Sequence, residues 1–112
     1  MDPIRVAEIE PGEYSLCLVA GTTDVDDLIV ELGHEPNGEF WAGIAELLVM
    51  TEASALAGGF SPDPEGGAFY AYSNDRGVLN DLANRLRLVA TDGNRLRQLM
   101  DFADANGFEF DD

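Results

Sequence analysis

Lysine is absent from this chain, and cysteine, histidine and tryptophan occur once each, as Cys17, His34 and Trp41. A single cysteine allows no internal disulfide, which fits a reducing compartment. With one histidine, any Ser/His/Asp or Cys/His arrangement has to use His34, and no His/Cys cluster of the kind that holds zinc can form. No apolar run approaches the ~18–20 residues of a membrane-spanning helix. The start, Met1-Asp2-Pro3, has neither the basic nor the apolar part of a signal peptide, so a cytoplasmic protein is expected. Phosphate cradles are missing, because Gly58-Gly59 and Gly66-Gly67 lack both a following lysine and the Gly-x-Gly-x-x-Gly spacing. The carboxylates of Asp24, Asp26 and Asp27 do not make a calcium loop, since Ile29 stands where that loop needs glycine. No cofactor, no metal site and no enzymatic activity are therefore expected.

Acid is what the sequence has in excess. Twenty-two Asp and Glu face six basic residues, all arginine, for a formal net charge of -16 over 112 residues. Such a surface repels nucleic acid and anionic lipid and attracts basic proteins. Two origins of the charge stay open. Salt adaptation or genome composition would explain both the acidity and the missing lysine, and leave a general acidic binding or regulatory module. Selection for a basic partner would make the acid face functional. The hydrophobic share, 46%, is that of a folded protein and not of a disordered one.

Periodicity places the elements. Ile4 to Ile9 and Tyr14 to Val19 read as strands around a Pro11-Gly12 turn, with Tyr14, Leu16 and Leu18 on one face and Ser15, Cys17 and Val19 on the other. Thr22-Thr23-Asp24 reads as a capped helix start, followed by Val25, Leu28, Ile29 and Leu32 at helical spacing and Gly33 as the stop. A second helix is expected from about Phe40 to Ala53, with Phe40 and Trp41 fastening it to the core. Phe60-Ser61 and Ala68 to Tyr72 form a second hairpin around a loop from Pro62 to Gly67. Ser73 or Asn74 is expected to cap a third helix from about Asp75 to Ala90, and a fourth ends at Asn106-Gly107. The class is α+β: a single domain over 1–112, in the order ββααββαα, with two hairpins in one antiparallel sheet and helices on a face.

Candidate functional residues lie in three places. Asp24, Asp26, Asp27 and Glu31 form an acidic helix start. Glu35, Asn37 and Glu39 stand in the turn between the first two helices. Tyr70 and Tyr72 are aromatic anchors if their strand face is open, and line the core if it is not. His34, at a helix end, is expected to meet the last carbonyls, and Cys17, mid-strand, to be a buried inert thiol.

The stretches Gly12-Glu13-Tyr14-Ser15-Leu16, Leu32-Gly33-His34-Glu35-Pro36-Asn37-Gly38 with Phe40-Trp41, Asp63-Pro64-Glu65 and Gly107-Phe108-Glu109-Phe110 resemble the Immunity protein 51 family across nearly the whole chain. Glu-Pro-Asn-Gly-x-Phe-Trp is the most specific part. The resemblance implies an antidote of a bacterial polymorphic toxin system. Such a protein binds and blocks a cognate toxin domain, a basic nuclease being one that an acidic protein would suit.

Overall fold

In the computed structural model, which describes residues 2–112, four strands form one antiparallel sheet: β1 (Ile4–Glu10), β2 (Glu13–Val19), β3 (Ser61–Pro64) and β4 (Ala68–Ser73). Their order across the sheet is β1-β2-β4-β3, so each hairpin supplies one central and one edge strand. The helices are α1 (Asp26–Glu31), α2 (Gly38–Thr51), α3 (Arg76–Thr91) and α4 (Gly93–Ala105), with a 3-10 turn at Ser54–Leu56. The order ββααββαα is the expected one.

Alternation decides which sheet face is covered. Ile4, Leu16, Leu18, Phe69 and Ala71 point to one side and are buried under α2 and α3. The opposite side carries the cross-strand rows Arg5–Cys17–Tyr70–Asp63 and Ala7–Ser15–Tyr72–Ser61. Helix α4 packs outside the sheet layer, against α2 and α3. Helix α2 is apolar around most of its circumference, and Phe40, Trp41, Ile44, Leu47 and Leu48 are fully buried. It is the centre of the core.

Several boundaries differ from the sequence reading. Pro62 and Pro64, expected in a loop, lie within β3. An edge strand tolerates prolines because their missing N–H groups can face away from the partner strand. Helix α2 begins at Gly38, because the Asn37 side chain accepts the Phe40 N–H at 2.9 Å and satisfies the first turn. Helix α1 is shorter than its apolar spacing suggested and has no side-chain cap. Thr23 instead accepts the Val25 N–H at 3.4 Å and donates to Asp26 at 2.6 Å. Asp75 caps α3, whereas Ser73 donates to the Gly59 carbonyl and accepts from the Asp75 amide. Asp92 both closes α3 and caps α4.

Two helix ends turn on glycine in the left-handed region. Gly33 (φ +91°) lets its own N–H reach Val30 O while the His34 N–H reaches Ile29 O. Gly107 (φ +70°) lets the Phe108 N–H return to Ala103 O. These are Schellman-type closures, and they aim the chain back across the body of the protein. His34 therefore meets a helix carbonyl through its backbone and not, as expected, through its ring. Cys17 is half-buried on the open sheet face and not sealed in the core.

Trp41 has no exposed surface, and its indole N–H has no hydrogen-bond partner among the described residues. Trp41→Ala is expected to cost about 3–5 kcal/mol, read as a shift in the denaturant midpoint. Trp41→Phe should cost less, because it also removes the orphaned donor. Gly38 is the second sensitive point: a Cβ there would collide with the backbone carbonyls of Glu65 and Ala68. Gly38→Ala should destabilise by about 3 kcal/mol, the upper end for an overpacked site, since no side chain can move aside to relieve the overlap. A normal melting curve for Gly38→Ala would disprove that packing.

Candidate partner-binding site

The loop between α1 and α2 is braced by the C-terminal tail. After Gly107 the tail runs back along α2 in an alternating pattern. Phe108 and Phe110 pack inward on the core, while Glu109 and Asp111 point to solvent. The Phe110 ring stacks on Phe40 with centroids 4.9 Å apart and meets the His34 ring edge-on at 4.9 Å. Phe110 lies directly over Gly43, where a Cβ would overlap the ring. Asp112 then closes the strap. Its carboxylate accepts the Glu35 N–H at 2.8 Å and the His34 Nδ1–H at 3.0 Å.

Burial would push the Asp112 carboxyl up. The Glu35 N–H and the His34 side chain outweigh that, and the group sits below its ordinary value of 3.8. It is therefore ionised at neutral pH and can only accept, which sets the His34 proton on Nδ1. A carboxyl held below its unfolded value stabilises the fold fully above that value, and the contribution is lost as pH falls through the lower, folded value.

The strap also makes one wall of a groove. The floor is the outer stripe of α2, with Glu39, Ala42, Gly43, Glu46 and Val49 at helical spacing. The other walls are Phe60, Pro62 and Pro64 at the β3 edge and Phe108 to Asp111 in the tail. The groove has a volume of about 490 Å3. Its lining includes the acids Glu39, Glu46, Glu109 and Asp111 and no basic residue.

Five of the six arginines are engaged elsewhere, and Arg5 lies on the open sheet face. Arg85 and Arg95 share Glu52, Arg87 pairs with Asp2, Arg97 lies 3.7 Å from Glu31, and Arg76 sits over the Tyr14 ring. Among the described residues none of the four groove carboxylates has an ion-pair partner.

The sequence candidates fall on separate surfaces. Asp24, Asp26, Asp27 and Glu31 lie on and just before α1, which is joined to α3 and α4 by the Asp24 N–H to Ala90 O bond and the Leu28 contact at Gly93. Asn37 is engaged as the α2 cap, and Glu35 accepts from its amide at 3.4 Å. Glu39, expected in that turn, lies in the first turn of α2 and is the one of these three that lines the groove. Tyr70 and Tyr72 stand on the open sheet face, with Tyr72 37% exposed. Neighbouring Cys17, by charge and by hydrogen bonding, pushes the Tyr70 phenol up.

Sequence reasoning missed the groove walls, Glu46 and the Asp112 strap. The alternation Phe108-Glu109-Phe110-Asp111 was the available signal, since it marks a segment with one face against the core. Among the described residues no group of His, Cys, Asp and Glu converges as a metal site, and no helix is long and apolar enough to cross a membrane.

Residues 5–105 match the family model of Immunity protein 51. The chain belongs to that family. Comparison with curated proteins and with solved structures gave no match.

Asp112→Asn should lower the melting temperature at neutral pH, because a neutral amide gives the Glu35 N–H and His34 a weaker acceptor. The difference from the parent should close as the pH falls through the lowered, folded value of the parent carboxyl, below which it is itself protonated. An equal difference at every pH would show that the carboxylate charge plays no part.

Proposed function

We propose that this protein neutralises a bacterial toxin by binding it, without catalysing a reaction, and that residues 1–112 act as one immunity domain in the cytoplasm of the cell that makes the toxin. Membership of an immunity-protein family over residues 5–105 carries this reading. The charge supports it. A net -16 steers the chain toward a basic partner, and many toxins that cut nucleic acid have basic clefts. The unpaired acids around the groove, and Asp24, Asp26 and Asp27 at the start of α1, contribute to that field.

Co-expression with the protein encoded by the neighbouring gene tests the reading. A toxin domain from that gene should arrest growth alone, and this chain should restore growth and co-purify with the toxin. If neither happens, the reading fails.

Charge reversal at Asp24, Asp26, Asp27 and Glu31 together should slow association several-fold at low salt and flatten its salt dependence, because exposed charges act chiefly on encounter. Unchanged association kinetics would place the steering field elsewhere on the protein.

A further inference from the structure

We propose that the groove between α2, the β3 edge and the C-terminal tail is the toxin-docking site, and that it receives a segment of the toxin whose apolar side chains are flanked by arginine or lysine. The inference rests on the toxin-neutralising reading and names the surface that carries it out.

The groove offers both halves of a tight interface. Its lining combines apolar Ala42, Val49, Phe60, Pro62, Phe108 and Phe110 with the carboxylates of Glu39, Glu46, Glu109 and Asp111. Apolar anchors in a desolvated centre supply affinity, and charges around them supply orientation and speed. A volume of about 490 Å3 accommodates several side chains of a partner.

Charge identifies the occupant. With no basic residue in its lining and, among the described residues, no ion pair to its four acids, the groove repels an acidic segment and leaves unpaired charge against a neutral one. A cationic segment relieves both. Among the other acidic surfaces, the start of α1 fits less well. Helix α1 has only six residues, and its Glu31 already faces Arg97. The open sheet face is mixed in charge, with Arg5 and Asp63 at the ends of one row.

The walls also indicate how the segment binds. Prolines at two of the four β3 positions remove backbone donors from that edge, which discourages docking by strand addition. Recognition then falls to side chains entering the groove, as when an amphipathic helix lays its apolar face into a slot. The slot is preformed: α2 is held at Gly38, and the tail is held by Phe110 over Gly43 and by Asp112 at His34.

The test measures association and dissociation rates between this chain and the toxin domain encoded by the neighbouring gene. Glu39→Lys, Glu46→Lys and Glu109→Lys combined should weaken binding about 100-fold, through both slower association and faster dissociation. The reversed acids of α1 should change association alone. Val49→Lys should weaken binding at least about tenfold by placing a cation in the apolar floor. If the triple variant does not fold, the exposed Glu46→Lys carries the test, with a loss of about tenfold expected.

Groove variants that bind within about threefold of the parent, while variants of Tyr70 and Tyr72 or of α1 lose the complex, would overturn the groove and leave the toxin-neutralising reading intact. A toxin that neither binds the parent chain nor is silenced by it would remove that reading, and the groove's occupant with it.

Discussion

The backbone of Gly38 lies against the carbonyls of Glu65 and Ala68, with no room for a side chain between them. That contact joins the first turn of α2 to the tip of the second hairpin. It sets where α2 lies over the sheet, and so which of its residues enter the core. From this position Phe40 and Trp41 are driven inward, and the stripe from Glu39 to Val49 is left outside beside the β3 edge. A groove forms because a helix and an edge strand approach at one end and nothing fills the space beside them. The tail then supplies the remaining wall. Gly43 has the same role one and a half turns later, where the missing Cβ admits the Phe110 ring.

The distribution of charge follows from the same packing. Helices α3 and α4 carry all the arginines except Arg5, and none of their residues lines the groove. Ion pairs of Arg85, Arg95 and Arg97 with Glu52 and Glu31 are exposed or half-exposed and contribute little to stability. Their larger consequence is to engage those arginines away from the groove. The groove keeps four carboxylates without a cation in its lining. An overall acidity that could come from habitat alone thus includes one cluster that only the fold assembles.

Much of the fold was legible along the chain. Alternation at Tyr14, Leu16 and Leu18 marked the covered sheet face, and the spacing of Leu79, Leu82, Leu86 and Val89 marked the inner face of α3, because burial repeats with the period of the backbone. Asn37 was visible as a turn residue but not as a cap, and that choice moved the start of α2. Pro62 and Pro64 suggested a loop because proline forbids a central strand, and only the sheet order reveals that β3 is an edge. His34 at a helix end suggested a cap for the α1 carbonyls. Its ring is instead claimed by an aspartate at the opposite end of the chain, a contact that no local pattern signals.

The sequence by itself determined the class of the fold, the excess of acid and the family, since each depends on composition, periodicity or a run of neighbouring residues. Tertiary structure alone decided where the acid is left uncancelled. Glu39, Glu46 and Glu109 are separated along the chain by up to 70 positions' difference in number, from 39 to 109, and meet only because the Gly107 turn returns the tail along α2. The physical reason is that ion pairing and groove formation depend on distance in space. The backbone sets that distance through a few close approaches at glycine, and local sequence records such approaches only as the absence of a side chain.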